Sequence, residues 1–486
     1  MIVGIDVGSQ SVKVVVLDES LKLLGQAAAH YQPSYPRPGW AEQDARLWEE
    51  ALGPTTAAAL HQAGAPADRV EAVGIAGQLD GCVAVGRDAR ALGPALIWMD
   101  RRAVDETRDI DPLEIRRLTG LVLDAGHMAA KIRWLKRHAP WAAEARCFHQ
   151  PVSYLVERLT GARRIDRALA STTMLYGLSS GRYEPALLAA FGIEAEVLPE
   201  LAGAAEPAGM LTRAGAELIG LPEGIPVAVG TGDDFSNPLG AGLTAPGRVA
   251  CALGTAEVVG ALHPEPLIDE RALVETHVYA GGHYFLENPG WLSGGALTWF
   301  AGLHGLPNAQ AIDRLAEPVP CGAEDVLFLP ALSGAMAPEW QAAARGAFYG
   351  LSAAHGVEHL ARAVLEGCAF AMRDVIERLG ELGVACRSIL LLGGGARSRL
   401  WGQIRADIAG LPVEVPANTN TSPAGAALLA AVAAGVYPNI GAAARQIAQT
   451  VACLEPDAAR HARYDAAYGR YRRLFESLKP MFGAAP

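Results

Sequence analysis

The pattern of apolar and polar positions predicts an α/β protein. β-branched runs cover residues 2–7 and 12–17, and a Gly-Ser-Gln-Ser turn joins them at residues 8–11. This arrangement indicates a β-hairpin rather than a strand that runs into a helix. Further apolar runs at 70–76 and 95–98 end in polar residues. Because α/β proteins place their ligands at the ends of strands, these polar ends are candidate ligand positions.

The chain shows the same pattern a second time from about residue 245. Residues 247–260 repeat the β run, the glycine-hydroxyl turn and the second β run of the first seventeen residues. A buried strand pattern at 388–392 then leads into three glycines and a helical pattern at 399–409. Helical periodicity dominates between about 104 and 220. We therefore predict two similar domains, residues 1–244 and 245–486, flanking a ligand cleft.

Composition and charge narrow the choice of partners. The chain has 486 residues, of which 51% are hydrophobic and 19% charged, which is typical of a folded globular protein. A net charge of -11 and the lack of a dense basic run argue against nucleic acid as a partner. Seven cysteines without a CxxC spacing argue against a disulfide framework and a structural zinc site. A reducing, cytoplasmic location fits these features best.

No segment of the sequence indicates a membrane partner. The N-terminus runs straight into the first strand pattern, so we expect no export signal. The longest apolar stretch, residues 424–436, is shorter than the ~20 residues that a membrane span needs. It is mostly Ala and Gly, which predicts a tightly packed internal helix. The oligomeric state stays open, with a homodimer as one alternative.

Two glycine-hydroxyl turns are candidate phosphate-binding sites. The first turn and its neighbouring cation consist of Gly8, Ser9, Gln10, Ser11 and Lys13. Its backbone N–H groups and small hydroxyls can hold phosphate oxygens with no large side chain in the way. A tight hairpin would use the same residues, so the turn alone decides little. Gly254 and Thr255 occupy the equivalent turn of the second half, and two such turns can clamp one polyphosphate.

Asp6 lies two residues before Gly8, on an apolar strand. Burying a carboxylate there is costly without a positive partner such as Mg²⁺ or its coordinated water. The alternative is an aspartate that caps its own turn. The neighbouring phosphate turn favours the metal role.

Other acidic residues also follow predicted strands. Asp233 and Asp234 follow Gly232, and adjacent carboxylates point in different directions, so that one can act as a base while the other binds a ligand hydroxyl. An Asx turn is the alternative. Asp80 and Asp100 close two further strands, and with Gln78 they would form a pocket of hydrogen-bond acceptors. Such a pocket suits a neutral polyhydroxylated ligand.

Two glycine clusters stand before predicted helices. Residues 393–395 are all glycine, which permits close backbone approach to a flat ligand such as a nucleoside, with the helix N-terminus adding a favourable dipole. Gly294 and Gly295 are similar, but helix packing alone can also demand glycine there.

Eight segments, taken in order, resemble the FGGY carbohydrate kinases, and most of all their xylulokinase branch. They are IDVGSQSVK, GIAGQLDG, IWMDRR, TGDD, LGTA, GAFYGL, EHLARAVLE and LLLGGGARS. The segment from Gly346 to Glu366 fits the second sequence signature of that family throughout. The first signature, around residues 129–135, matches only in part.

The resemblance implies two actin-like domains of ribonuclease-H topology, with ATP mainly on the C-terminal domain, the sugar deep in the cleft and Mg²⁺ near Asp6. It implies that Asp233 is the general base that accepts the proton of the attacking sugar hydroxyl. Sugar-contacting positions would be Leu79, Asp80 and Asp234. Nucleotide-contacting positions would be Gly294, Thr298, Gly394, Gly395 and Arg399.

Departures from the family pattern leave the sugar open. Xylulokinases usually carry Met-His in place of Leu79 and Asp80, and Asn in place of Asp234, whereas glycerol kinases carry Arg-Glu at the first pair. We expect ATP-dependent phosphorylation of a neutral sugar or polyol, first of all a pentulose such as D-xylulose. Ribitol, erythritol and ribulose are alternatives. A non-metabolic actin-like ATPase would need no polyol pocket, and a sugar-responsive repressor would need a DNA-binding helix-turn-helix, which is not visible.

Overall fold

The computed structural model describes residues 1–483, and these fall into two units. The first unit holds Met1–Thr244, Thr276–Tyr284 and Asn420–Ala448. The second holds Ala245–Glu275, Phe285–Thr419 and the described chain from Gln449 onward. The chain thus changes units after Thr244 but later returns to the first unit, so each unit is built from more than one stretch of sequence.

The described residues form twenty-four strands and fifteen α-helices. The strands are β1 (Ile2–Val7), β2 (Ser11–Leu17), β3 (Leu23–His30), β4 (Glu42–Gln43), β5 (Ala72–Gly77), β6 (Val83–Val85), β7 (Ala95–Leu96), β8 (Cys147–His149), β9 (Arg164–Asp166), β10 (Tyr176–Gly177), β11 (Arg182–Tyr183), β12 (Glu200–Ala202), β13 (Pro207–Met210), β14 (Pro226–Ala228), β15 (Thr231–Gly232), β16 (Gly247–Leu253), β17 (Glu257–His263), β18 (Glu275–Tyr279), β19 (His283–Trp291), β20 (Leu327–Leu329), β21 (Ala347–Tyr349), β22 (Cys386–Leu392), β23 (Val413–Pro416) and β24 (Thr450–Leu454). The helices are α1 (Ala45–Ala63), α2 (Pro112–Thr119), α3 (Met128–His138), α4 (Pro151–Thr160), α5 (Arg167–Ser171), α6 (Pro185–Phe191), α7 (Arg213–Ile219), α8 (Asp233–Gly240), α9 (Gly294–Leu303), α10 (Ala309–Ala316), α11 (Val357–Glu381), α12 (Arg399–Ala409), α13 (Thr421–Ala433), α14 (Ile440–Ile447) and α15 (Ala458–Leu478).

The first unit is centred on a mixed sheet with the strand order β13-β14-β5-β1-β2-β3, in which β15 also pairs with β5. Strand β1 runs antiparallel to β2 and parallel to β5, so that Ile5 lies between Val14 and Ile75. Every residue of β1 and β5 is buried, which requires cover on both faces of the sheet. Helix α1 packs on β2 and β3, and α13 packs on β1 and β5.

Small residues bring α13 close to the sheet. A Cβ atom added at Gly4 of β1 would lie 1.9 Å from the carbonyl oxygen of Pro423, and one added at Gly74 of β5 would lie 1.9 Å from that of Ala426. The prediction of a tightly packed internal helix near 424–436 is confirmed. The sequence repeat placed this helix in the second domain. In the structure α13 instead belongs to the first unit, where it packs on β1 and β5.

The second unit repeats this arrangement in a sheet that contains the strand order β19-β17-β16-β22-β23-β24. Strands β16 and β17 form an antiparallel hairpin, and β16 runs parallel to β22. They correspond to β1, β2 and β5 of the first sheet, so the predicted repeat of the opening segment is confirmed. Among residues 1–483, no helix is long and apolar enough to cross a membrane.

We expect Gly74→Ala to lower the stability of the first unit. The new methyl group would meet the backbone of α13, and overpacking of this kind costs about 1–3 kcal/mol. Gly441→Ala on α14 is a matched control, because its Cβ would meet nothing closer than 3.5 Å. Thermal unfolding of both variants measures the difference. An equal effect of the two substitutions would contradict close packing at Gly74.

Candidate functional site

Three neighbouring strands of the first sheet place their acidic residues together. Asp6 lies near the end of β1, Asp80 follows β5, and Asp233 and Asp234 follow β15. These strands run parallel, and both Asp6 and Thr231 lie opposite Ala76 of β5. Carboxyl ends of parallel strands meet at one edge of a sheet. The structure therefore brings four of the predicted acidic residues to the same edge.

Asp233 and Asp234 form the first turn of α8 rather than an isolated Asx turn. Burial, together with the charges of Asp234 and Asp6, raises the pKa of Asp233 well above its usual value. Burial and the charges of Asp80 and Asp6 raise the pKa of Asp234 to about 7. Both shifts favour the protonated form, so these two carboxyls hold protons that an isolated aspartate would release.

Asp80 behaves in the opposite way. His127 Nδ1 lies 3.1 Å from Asp80 Oδ1, and the Lys131 ammonium is close by. Burial raises the pKa of Asp80, but His127 and Lys131 outweigh it, and the net shift is downward. Asp80 is therefore an ionised hydrogen-bond acceptor, whereas the neighbouring Asp233 and Asp234 retain protons. Carboxyls whose pKa values differ in this way are typical of acid–base sites. The sequence analysis did not identify His127 or Lys131.

Asp6 has one oxygen that could face a cation. Its Oδ2 lies 3.6 Å from Lys13 Nζ, and its buried Oδ1 accepts no hydrogen bond within 3.5 Å among the described residues, although the Ser422 hydroxyl is near enough to lower the pKa of Asp6. Burial raises the pKa of Asp6 against the opposing charge of Lys13. Mg²⁺ is usually held by one or two carboxylates together with water and substrate phosphates. The orphaned oxygen fits that use, although no cluster of three potential protein ligands occurs within residues 1–483.

Hydrogen bonds to the carbonyl groups of Gly8, Ser9 and Ser11 fix the conformation of the first glycine-hydroxyl turn. Gly8 N donates to Ser11 O at 2.9 Å, and Tyr31 Oη donates to Gly8 O at 2.7 Å. Gln43 Nε2 donates to Ser9 O at 2.7 Å. A Cβ at Gly8 would meet only Ser11 O, at 3.5 Å, so packing does not demand glycine there. Open space above the turn is consistent with a ligand role.

Gln78 belongs to the framework of this turn. Its Nε2 donates to Gln43 Oε1 at 2.7 Å, and Gln43 in turn holds the Ser9 carbonyl. Leu79 lies beside Gly232, where a Cβ atom would come within 3.1 Å of the leucine Cδ2. Leu79 thus lies beside the residue that precedes Asp233 in the chain.

Asp100 is not a free acceptor, contrary to the sequence-based expectation. It is fully buried, and its carboxylate accepts from the Ala41 backbone N–H at 2.7 Å and from the Arg102 guanidinium. That guanidinium also contacts Glu42 and stacks on Trp40. Arg102 stands only two residues after Asp100 and takes up its hydrogen-bonding capacity, so a role in sugar binding does not follow.

The second unit places its predicted nucleotide residues around the turn between β16 and β17. Gly295 N donates to Thr255 O at 2.9 Å, which fixes the turn to the start of α9. A Cβ at Gly294 would lie 2.2 Å from Gly254 O, and one at Gly395 would lie 2.7 Å from the Leu253 side chain. Packing therefore explains both glycines.

Gly394 differs from these two glycines. A Cβ there would meet nothing within 4 Å, and its φ is not positive. Neither packing nor backbone geometry requires glycine at this position, which favours the approach of a ligand. Thr298, one turn into α9, and Arg399, the first residue of α12, are exposed on the same unit.

A buried ion pair supports this turn, and the sequence analysis missed it. The Arg405 guanidinium on α12 binds the Glu257 carboxylate on β17, and both side chains are fully buried. It also stacks on Trp401. The pair links the strand that follows the turn to the helix that follows the three glycines.

Comparisons with known proteins decide the family. A model of the N-terminal domain of the FGGY family of carbohydrate kinases matches residues 1–240, and a model of the C-terminal domain matches residues 249–434. The chain belongs to the FGGY family of carbohydrate kinases. The resemblance stated above is thereby confirmed, and so are the two-domain FGGY fold and the activity class, a phosphotransferase with an alcohol group as acceptor.

Individual FGGY kinases are similar over nearly the whole chain. A xylulose kinase from Escherichia coli (strain K12) is 32% identical over 491 residues, covering 99% of this chain and 100% of that protein. A glycerol kinase from Alkalilimnicola ehrlichii is 33% identical over 455 residues, covering 90% of each. The crystal structure of a xylulose kinase from Rhodospirillum rubrum covers 99% of both chains with a TM-score of 0.89 and 29% identity. As an FGGY kinase, the protein is an ATP-dependent sugar kinase.

We expect Gly394→Ala to weaken ATP binding roughly tenfold without lowering the unfolding temperature, because its methyl group would project into open space. Gly294→Ala should instead lower the unfolding temperature, since its Cβ would meet backbone. Nucleotide titration and thermal unfolding separate the two effects. A loss of stability in Gly394→Ala as large as in Gly294→Ala would show that Gly394 is structural.

Proposed function

We propose that this FGGY kinase transfers the γ-phosphoryl group of ATP to a hydroxyl of a neutral ketose or polyol of about four to six carbons. A pentulose such as D-xylulose is our first choice. In this proposal the acidic edge of the first unit binds the sugar, and the turn and helix starts of the second unit bind the nucleotide.

The carboxylate cluster is the observation that carries the proposal. Asp80, Asp233 and Asp234 all follow strands that end at the same edge of the first sheet. The charge of Asp80 raises the pKa of Asp234, and the charge of Asp234 raises the pKa of Asp233. Neutral hydroxyls can donate hydrogen bonds to such a group. A sugar acid would bring a negative charge next to the ionised Asp80 and would oppose the ionisation of Asp233 that base catalysis requires, so it is disfavoured.

The nearby cation does not change this expectation. Lys131 Nζ donates to three backbone carbonyl groups, so its N–H groups are already taken. It compensates the charge of Asp80 without offering a binding site for a substrate carboxylate. Neutral substrates are therefore favoured even with a lysine beside the cluster.

We assign the general base to Asp233. Its pKa is raised by burial and by the charges of Asp234 and Asp6, so its carboxylate has a greater affinity for the proton of an attacking hydroxyl than an exposed aspartate has. Asp234 would bind a second hydroxyl of the same sugar. Lys13 and the amides of the Gly8–Ser11 turn would face phosphate oxygens, and Mg²⁺ held near Asp6 would supply neutralisation of charge on the transferring group.

Similarity to the E. coli xylulose kinase supports a pentulose, but the glycerol kinase matches at comparable identity leave the choice to experiment. The kinase assay should compare xylulose, ribulose, ribitol, erythritol, glycerol and gluconate side by side. We expect the highest kcat/KM for a neutral pentulose. Gluconate as the best substrate would overturn the electrostatic argument.

The same assay tests the base. Asp233→Asn should lower kcat by about 10²–10⁴-fold, the range that general base catalysis contributes, while folding and ATP binding stay close to wild type. Activity within a few-fold of wild type would remove Asp233 from that role.

We expect the acidic limb of the pH profile to move to lower pH in Asp234→Asn. At pH values below its raised pKa, Asp233 is protonated and can no longer accept a proton, so kcat/KM decreases there. The neighbouring Asp234 charge contributes to that raised pKa. The amide removes this charge and lowers the pKa of Asp233. The pH dependence of kcat/KM measures the shift, and a limb that stays in place or moves to higher pH would contradict it.

A further inference from the structure

Asp80 adopts a left-handed backbone conformation, which is uncommon for residues other than glycine although aspartate tolerates it better than most. Its φ angle is +58°, in the left-handed region that suits glycine. Residues other than glycine stay there only when their surroundings hold them, and such positions often occur at functional sites. Both backbone polar groups of Asp80 are in fact held by side chains, one from helix α3 and one from the residue that precedes helix α4.

Lys131 on α3 holds the carbonyl side. Its Nζ donates to Asp80 O at 2.7 Å, to Ile97 O at 2.8 Å and to Gly126 O. The lysine side chain is fully buried. One ammonium group thus joins the loop after β5, the segment after β7 and the approach to α3.

Gln150, which precedes α4, holds the amide side. Its Oε1 accepts from Asp80 N at 2.9 Å, and its Nε2 donates to Leu169 O at 2.8 Å and to Thr172 Oγ1 at 3.0 Å. It is also fully buried. Both side-chain ends of Gln150 are satisfied, so its amide orientation is fixed by its partners.

We propose that Lys131 and Gln150 are positioning residues that clamp the backbone of Asp80 and so determine which sugar hydroxyl pattern its carboxylate recognises. This inference rests on the proposed function, in which Asp80 contacts the sugar. His127 completes the arrangement from the side-chain end, at 3.1 Å from Asp80 Oδ1. When the backbone N–H and C=O groups of an aspartate and one of its carboxylate oxygens are all held, the carboxylate has a fixed position and can discriminate between epimers. A freely rotating carboxylate cannot.

Direct roles for Lys131 fit the geometry poorly. An ammonium that donates to three carbonyls has no remaining N–H for a phosphate oxygen or a leaving group. Its effect on catalysis must therefore pass through the groups it holds. The alternative that remains is a purely structural role in joining the loops.

The test compares Lys131→Met and Gln150→Leu with Lys136→Met. Lys136 is on the same helix, is about one-third exposed, and donates to Gly192 O and Glu194. We expect Lys131→Met and Gln150→Leu, the two clamp variants, to raise the KM for the sugar about tenfold or more. The KM for ATP should stay within about twofold of wild type. The ratio of kcat/KM for xylulose to that for ribulose should move closer to one. Lys136→Met should match wild type in all three quantities.

A double-mutant cycle with Asp80→Gly supplies the decisive readout. Glycine adopts the left-handed conformation without help and lacks the carboxylate, so Lys131→Met should add less than about twofold in that background. The same loss in both backgrounds, or an equal rise of the KM for ATP, would overturn the clamp and leave Lys131 purely structural. The kcat/KM ratio between two sugars is independent of the fraction of folded enzyme, and Gln150→Leu tests the clamp from a different helix if Lys131→Met folds poorly.

Failure of the clamp differs from failure of the proposed function. A wild-type enzyme that phosphorylates pentuloses, with unchanged selectivity in both clamp variants, removes only the clamp. A wild-type enzyme inactive on every neutral sugar removes both.

Discussion

Repulsion among aspartates at one edge of a sheet is the constraint that shapes the first unit. Burial raises the pKa values of Asp6, Asp233 and Asp234, and neighbouring carboxylates raise those of Asp233 and Asp234 further. For Asp234 the folded-state pKa is about 7, so its contribution to stability is full below the pKa of an unfolded carboxyl and is lost as the pH rises through about 7. The fold therefore carries a cost at neutral pH that a chain selected for stability alone would avoid.

Two lysines limit that cost from different positions. Lys13 is partly exposed and lies 3.6 Å from Asp6, where it can also meet a phosphate. Lys131 is buried, and burial lowers its pKa to about 8 although Asp80 and Asp100 oppose the shift. A cation at a surface turn can exchange partners when a ligand arrives, whereas one fixed on three carbonyls cannot. In the first unit, Lys13 is thus suited to binding a ligand, whereas Lys131 is suited to holding the backbone segments around it.

The sequence predicted the strands, both hairpins, the repeat and the acidic residues at the strand ends, because all of these depend on residues close together in the chain. It could not predict the partners of Asp80, since Lys131 is 51 residues away and Gln150 70 residues away. Two signals pointed to Lys131: it is a lysine within the apolar pattern of α3, and it lies in the segment 129–135 that matches the first family signature in part. Asp100 was misjudged for the opposite reason: a strand end alone does not show that Arg102, two residues later, occupies the carboxylate.

Helix α13 has a consequence for how the polypeptide reaches its native state. Helix α13, which packs on the face of β1 and β5 that carries Gly4 and Gly74, lies more than 340 positions later in the chain. On a ribosome, the strands of the first sheet emerge long before α13 does, so the apolar face that α13 packs on stays exposed until then. Contacts of such long sequence separation are slow to form. The nascent chain is thus exposed to self-association for most of its synthesis, and dependence on a chaperone during translation is the expected result.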